Sequence, residues 1–141
     1  MERDMVTTAT RSAATIHQFL GRYGRALSEG NLPEIARCWD VPAFVLADQG
    51  ARTVNTFSEI EDFFRQAMAS YLELGLRTTR PEVRQIEALG EHLFSVDVRW
   101  SALDARGEVR QTELSRYLLL LDQEGTPRIR VALSLPDESA S

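Results

Sequence analysis

Three side chains with chemically useful groups occupy alternate positions of one stretch, at Glu113, Ser115 and Tyr117. Alternate residues of a β-strand point to the same face, so a strand here would present the carboxyl group and the phenol together. If that face borders a cavity, burial of Glu113 raises the pKa of its carboxyl group and suits it to act as an acid or a base. If Glu113 instead lies near the open end of the strand, water solvates it.

Tyr23 is a further candidate, because a phenol in a dry pocket donates a strong hydrogen bond to a developing oxyanion. Tyr23 also belongs to an apolar helical stripe, where its hydroxyl group would simply be satisfied within the core. Other reactive side chains are few. His17 and His92 lie far apart in the chain, and Cys38 is expected to be a buried, inert thiol.

The residue types present indicate neither a metal site nor a cofactor. Two histidines and one cysteine lack the spacing of metal ligands. All 16 basic residues are arginine, which excludes a lysine Schiff base and the lysine of a P-loop. The chain also lacks a glycine-rich phosphate loop and a nucleophile elbow. Any reaction at this site is therefore expected to be cofactor-independent.

Bulk composition limits the possible partners. The net charge is −5, which opposes binding to a phosphate backbone, so no nucleic-acid partner is expected. No apolar run approaches the ~20 residues of a membrane span, which predicts no membrane partner. The first residues lack the apolar core of a secretory signal, and a lone cysteine suits a reducing compartment. Together these features predict a cytoplasmic protein.

The length of 141 residues suits one domain, and 43% hydrophobic residues can form a sizeable core. We expect a single domain over residues 12–136. The polar segment 1–11 and the tail 137–141 are predicted to be flexible. The sequence contains no internal repeat and no linker that would indicate a second domain.

Three helices are expected in the first half of the chain. The first carries an apolar stripe at helical spacing and ends at Gly30; its members are Ile16, Phe19, Leu20, Tyr23 and Leu27. Asn31 is suited to cap a second helix, whose apolar side is predicted to extend to Trp39. In the third helix, Ser58 and Glu61 match a capping box, and Gly75 ends the helix.

The remaining segments have the period-two pattern of strands. A short hairpin is expected over 43–47 and 52–54, followed by runs over 77–89, 94–101, 109–121 and 129–135. Pro81 indicates that the first long run is an edge strand or contains a bulge, and the spacing of Val83 and Ile86 also indicates a bulge. In the last run, the residues Ile129, Val131, Leu133 and Leu135 are predicted to share one face.

This order predicts an α+β fold in which a strongly curved, mostly antiparallel sheet wraps around the third helix and leaves a pocket. The pattern F-L-x-R-Y-x-x-A-L-x-x-G-N-L-P-x-I-x-x-x-W, followed by a strand, a capped helix and a four-strand meander, resembles the NTF2-like superfamily. That superfamily includes SnoaL-like proteins, ketosteroid isomerase and limonene epoxide hydrolase. The resemblance covers about residues 12–136. It implies a cone-shaped α+β barrel, a deep apolar cavity and homodimers formed through the sheet.

The resemblance also implies possible site residues. Tyr23 matches the oxyanion-binding tyrosine of ketosteroid isomerase, and Tyr117 matches its second oxyanion donor. The carboxylate base of that enzyme matches Ala47, with Asp48 one residue away on the opposite face, which argues against isomerase activity of that kind. No set of residues clearly matches the Asp-Arg-Asp group of an epoxide hydrolase.

Six large apolar residues are expected to fill the core and, where a cavity remains, to stack on a flat ligand: Trp39, Phe44, Phe57, Phe64, Met68 and Trp100. Three functions stay open. The first is binding of an apolar or aromatic small molecule by a homodimer. The second is a small isomerase, cyclase or hydratase that uses Tyr23, Glu113 and Tyr117. The third is a protein-interaction module with a vestigial cavity.

Overall fold

The computed structural model describes residues 2–136, with the side chains of residues 11–136. Its helices are α1 (Glu2–Glu29), α2 (Leu32–Arg37) and α3 (Phe57–Glu73). Its strands are β1 (Trp39–Ala47), β2 (Gly50–Val54), β3 (Leu76–Ala88), β4 (Leu93–Asp104), β5 (Val109–Leu121) and β6 (Pro127–Leu135). The predicted α+β class is confirmed, because the helices pack against one mixed, curved sheet.

Helix α1 carries the predicted apolar stripe on its buried side. Ile16, Phe19, Leu20 and Tyr23 are each at most 2% exposed. Gly30 follows the last turn with a φ of 69°, a conformation that favours glycine. The helix begins at Glu2, earlier than its apolar pattern, and the flexibility of residues 1–11 stays a prediction. The tail prediction for 137–141 lies outside the described residues.

The second helix is shorter than its apolar residues indicated. The Asn31 side chain caps it by accepting a hydrogen bond from the backbone N–H of Glu34, as predicted. The extension to Trp39 is wrong, because Trp39 is the first residue of β1. The carbonyl of Cys38 accepts a hydrogen bond from the backbone N–H of Ile129, at 2.8 Å. The chain thus joins the sheet before another helical turn can form.

The predicted Ser58–Glu61 capping box of α3 is wrong, because the helix is capped two residues earlier, by Thr56. Thr56 is extended, with φ −134° and ψ 156°, and its hydroxyl oxygen accepts from the backbone N–H of Glu59. The Glu59 carboxylate in turn accepts from the backbone N–H of Asn55, at 2.9 Å. Both Thr56 with Glu59 and Ser58 with Glu61 fit the capping pattern in the sequence. Because β2 ends at Val54, the helix begins early enough for Thr56 to be the cap.

The six strands lie in the order β2-β1-β6-β5-β4-β3, so the last four form the predicted meander. All neighbouring pairs are antiparallel except β1 and β6, which are parallel. The sheet is curved but not closed, so the expected barrel is open between β2 and β3. Strand β3 lies at an edge and contains Pro81, and its register shifts between Val83 and Gln85, as the sequence indicated.

Strand β6 contains a bulge that the alternating sequence concealed. Leu118 pairs with Val131, whereas Leu119 pairs with Ile129, so Arg130 is the extra residue. The predicted common face of Ile129, Val131, Leu133 and Leu135 is therefore wrong. After the bulge, Ala132 and Ser134 share the inner face with Tyr117 and Ser115, their direct partners on β5.

The concave face of the sheet and the buried sides of α1 and α3 form the core. Tyr23 on α1 contacts Phe64 on α3 and both Trp100 and Tyr117 of the sheet there. Within the described residues, none of the helices combines the length and the apolar character that a membrane span requires.

Candidate functional site

A cavity of about 250 Å³ lies between the helices and the concave face of the sheet. Helix α1 contributes Tyr23 and Leu27, and α3 contributes the side chains from Phe63 to Tyr71 that face inward. Strands β1 and β3 to β6 form the opposite wall. The helices cover only part of the curved sheet, so space remains between the two layers.

The deep part of the cavity is built from aromatic rings around Tyr23. The rings of Phe64 and Tyr117 stand almost perpendicular to the Tyr23 ring, with centroids 6.4 and 6.2 Å away. Trp100 is tilted by 72° at 5.8 Å, and Trp39 contacts Phe64 at 6.0 Å. Edge-to-face contacts of this kind hold the rings in defined orientations, so the wall is rigid and apolar.

Two hydrogen bonds join indoles to phenols in this wall. The Nε1–H of Trp39 donates to the hydroxyl oxygen of Tyr23 at 3.2 Å, and the Nε1–H of Trp100 donates to Tyr117 at 2.8 Å. Burial raises the pKa of Tyr117 to about 12 and raises the pKa of Tyr23 well above its usual value, with a further increase from Tyr117. Both phenols therefore stay protonated at neutral pH and retain a proton to donate.

Glu113 lies at the mouth of the cavity. It lines the cavity but is exposed, so of the two alternatives for Glu113 the structure shows the one in which water solvates the carboxylate. The Tyr71 hydroxyl donates to Glu113 Oε1 at 3.2 Å, and Gln111 Nε2 donates to the same oxygen at 2.7 Å. Burial, followed by the charge of Glu113, raises the pKa of Tyr71. The rim thus holds a fixed carboxylate beside a neutral phenol.

The structure brings seven of the nine predicted site residues to this cavity: Tyr23, Trp39, Phe64, Met68, Trp100, Glu113 and Tyr117. It does not bring Phe44 and Phe57 there, and both are more than 40% exposed. Phe44 points to the convex face of β1, because its neighbours Ala43 and Val45 point inward. Phe57 lies in the first turn of α3, away from the buried side of that helix.

Several lining residues were not among the predicted site residues. Tyr71 and Phe63 line the cavity from α3, and Tyr71 follows the predicted residue Met68 by three positions on the same helix. Ser115 alternates with Glu113 and Tyr117 along the strand, and this spacing was enough to predict that it faces the same side. Ser134 could not be found from its spacing, since the bulge at Arg130 reverses the faces of β6.

The other candidate residues lie away from the cavity. Ala47 and Asp48, at the position of the isomerase base, are exposed, as are His17 and His92. Cys38 is buried, and burial raises the pKa of its thiol to about 11, which keeps it protonated and unreactive. Among the residues the structure describes, no group of three His, Cys, Asp or Glu side chains could hold a metal ion.

Comparison with known proteins places this architecture. A family model described as "NTF2-like protein (DUF6841)" matches residues 12–137. A domain of unknown function with a cystatin-like fold from Nostoc punctiforme has a TM-score of 0.73 at 19% identity, with 93% of this chain and 82% of that chain covered.

Two further solved structures are similar over most of their length. Aln2 from a Streptomyces species has a TM-score of 0.70 at 18% identity, with 91% and 92% of the two chains covered. An NTF-2 like protein of unknown function from Shewanella oneidensis has a TM-score of 0.69 at 16% identity, with 86% and 97% covered. These identities establish the fold and no activity. No curated protein matches the sequence.

Proposed function

The chain belongs to the NTF2-like family described as DUF6841, and from this premise we propose that it binds a small apolar or aromatic molecule in the cavity. The observation that carries the proposal is the wall of ordered aromatic rings around an open space. Ligand pockets are concave and mostly apolar, with a few placed polar groups, and this cavity has those properties.

The polar groups of the cavity suit a ligand with one acceptor. The hydroxyl oxygens of Tyr23 and Tyr117 each accept from an indole, so each phenol can donate its own proton to an oxygen of the ligand. The volume of about 250 Å³ is below the usual range for drug-sized ligands. A molecule of one or two rings therefore fits better than a larger polycycle.

The test uses 2-naphthol and the tryptophan fluorescence of the chain. Both tryptophans, Trp39 and Trp100, line the cavity, so quenching reports occupancy of this site. Ala67 also lines the cavity, and Ala67→Leu should weaken binding at least tenfold by filling the space. Ala69→Leu is the matched control, since Ala69 is exposed two residues later on the same helix. Equal binding by both variants would place the ligand elsewhere.

Catalysis is a second candidate, because Tyr23, Tyr117 and Glu113 line the same cavity. The phenols would stabilise a developing oxyanion, and Glu113 would move a proton at the mouth, without a cofactor. The measurement is exchange of the α-protons of 2-tetralone with deuterium, followed by NMR. Glu113→Gln and Tyr23→Phe should each slow this exchange. Exchange no faster than in buffer would remove the candidate, and binding would remain.

Homodimerisation through the sheet is the assembly that the convex face supports. Leu118 pairs with Val131, Val131 with Phe44, and Leu114 with Leu135, and all of these point away from the cavity. They form an apolar patch that is at least partly exposed in the single chain. A second copy covering this patch would remove it from water and leave the cavity accessible.

A cytoplasmic location stays a prediction, and fractionation of the native host would test it.

A further inference from the structure

We propose that the ligand of this cavity is a small aromatic amine, bound as its ammonium ion, with its ring among the buried aromatic side chains and its charge beside Glu113. The proposal rests on the proposed binding function and names the chemical class of that ligand. Three features of the site carry it: the formal charge of the lining, the orientation of the indole groups, and the separation of Tyr117 and Glu113 along the backbone of β5.

The first feature is charge. Of the described residues that line the cavity, Glu113 is the only one with a formal charge, and it is negative. Its Oε1 is held by Tyr71 and Gln111, so the carboxylate is kept at the mouth. A ligand carboxylate would meet a like charge there, whereas an ammonium group would meet an opposite one.

The second feature is the potential of the aromatic wall. Ring faces are negative and attract cations, while the indole N–H is a positive edge. In this cavity both indole N–H groups are engaged by the oxygens of Tyr23 and Tyr117 within the wall. The ring faces and the carboxylate therefore attract a cation, while the hydroxyl groups of Tyr23 and Tyr117 remain as donors that can contact the face of the ligand's ring.

One positive side chain, Arg52, contacts this wall from outside the cavity. The Arg52 guanidinium lies over the ring of Phe63, 5.5 Å from its centroid, and Arg52 is not one of the lining residues. It shows that a ring of this wall already accepts a cation from outside. Glu113 lies on β5, three positions away from β2 and Arg52 in the strand order, so an ammonium group beside Glu113 is separated from this guanidinium.

The third feature is shape. The Cα atoms of Tyr117 and Glu113 are four residues apart on β5, about 13 Å along the strand, so the two side chains enter the cavity at different depths. A ligand that contacts both is elongated, with a ring at one end and a charge at the other. A cavity of 150 Å³ is enough for benzene, so about 250 Å³ accommodates one ring with a chain of two or three atoms. An arylalkylamine has these dimensions.

Three probes with one scaffold test the proposal: 2-phenylethylamine, 2-phenylethanol and 3-phenylpropionate, measured by tryptophan fluorescence at neutral pH and low salt. The amine should bind roughly three- to tenfold more tightly than the alcohol, and the carboxylate most weakly, from one ion pair and one cation–π contact. The preference for the amine should shrink as salt is added.

Glu113→Gln should remove most of the preference for the amine over the alcohol, measured as the ratio of the two affinities in the same variant. Glu124→Gln is the matched control, because it removes the same charge from the exposed turn at the far end of β5. If the alcohol binds as tightly as the amine, the proposal is wrong and the proposed function stands. If none of the three probes nor 2-naphthol binds, both are wrong. If Glu113→Gln fails to fold, the unaltered protein still tests the proposal: its preference for the amine over the alcohol should decrease as salt is added, and a preference that salt does not change would contradict the proposal.

Discussion

The three tyrosines of this chain occupy two kinds of environment. Tyr23 and Tyr117 are buried and accept hydrogen bonds from indoles, and Tyr71 lies at the rim with its hydroxyl donated to Glu113. In each case burial is the main reason that the phenol pKa is raised. The neutral phenol is the form that the folded protein holds, which suits a donor and not a nucleophile.

The raised pKa values predict the pH dependence of stability. A phenol loses its proton near pH 10 in the unfolded chain, whereas the folded protein keeps the proton of Tyr117 up to about pH 12. The unfolded state thus binds fewer protons in this window, so the free energy of unfolding falls as pH rises, by up to ~1.4 kcal/mol per pH unit for each such group. Below pH 9 the contribution of the tyrosines should be complete and constant.

The check is an alkaline titration that follows tyrosinate absorbance and far-ultraviolet circular dichroism together. Tyrosinate should appear with the loss of secondary structure, above the ordinary phenol pKa. Cys38 adds to the decline, since burial raises the pKa of its thiol to about 11. Ionisation of the tyrosines near pH 10 with native dichroism would contradict the burial of these side chains.

The contact between α1 and β3 depends on a glycine. A Cβ at Gly24 would lie 2.9 Å from Cδ of Pro81 and 3.4 Å from Cζ3 of Trp100. The proline ring is part of the backbone of β3 and cannot move aside easily. Glycine thus allows the helix to approach the edge strand closely, at the cost of a weaker helix. Ser28, one turn later, bonds to both backbone groups of Thr79 on that strand.

Two alanine substitutions on α1 should change the free energy of unfolding in opposite directions. Gly24→Ala should lower the free energy of unfolding by about 1–3 kcal/mol through overpacking. Gly21→Ala is the matched control: a Cβ there meets nothing within 4 Å, so it should raise stability by about 0.5–1 kcal/mol through helix propensity. Urea unfolding measures both. A stabilising Gly24→Ala would show that α1 and β3 are farther apart than the structure has them.

The start of α3 gives a second matched pair. Thr56→Ala removes the side-chain acceptor of the Glu59 N–H and should cost about 0.5–2 kcal/mol. Ser58→Ala should change stability little, since Ser58 is an exposed residue in the first turn and not the cap. Thermal unfolding of the two variants distinguishes the caps. A larger loss of stability in Ser58→Ala than in Thr56→Ala would show that Ser58 is the cap, as the Ser58–Glu61 pattern indicated.

The whole molecule has two faces of different character because of one extra residue in β6. The bulge at Arg130 turns Ala132 and Ser134 toward the cavity and Val131 toward the convex face. Without it, the branched side chains would have pointed inward and filled part of the cavity. The same residue thus opens the inner space and completes the apolar patch outside.

Val131 lies within the apolar patch of the proposed dimer. Val131→Glu should convert that dimer into a monomer and leave ligand binding intact, because burying a charge in the proposed interface is costly. Light scattering at about 50 μM protein, with 2-naphthol quenching as the second readout, measures both properties. Leu72→Glu on α3 is the control, since Leu72 is 59% exposed and lies on a helix instead of the patch. A monomeric unaltered protein would refute assembly through this face.

Local patterns were sufficient for most of the elements and for much of the site. The spacing of apolar residues located the helix stripe that contains Tyr23, because the helical repeat is visible within a few residues. Pro81 likewise indicated that β3 is an edge strand, because proline has no N–H to donate to a neighbouring strand. The common parity of Glu113, Ser115 and Tyr117 is equally local, and all three line the cavity.

Long-range contacts determined what those patterns left open. The end of α2 at Arg37 depends on the bond from Ile129 to Cys38, and the exposure of Glu113 depends on how far the helices cover β5. The bulge at Arg130 follows from matching β6 to two neighbours at once, one parallel and one antiparallel. Each arises between segments far apart in the chain, so neither residue type nor spacing near the site could reveal it.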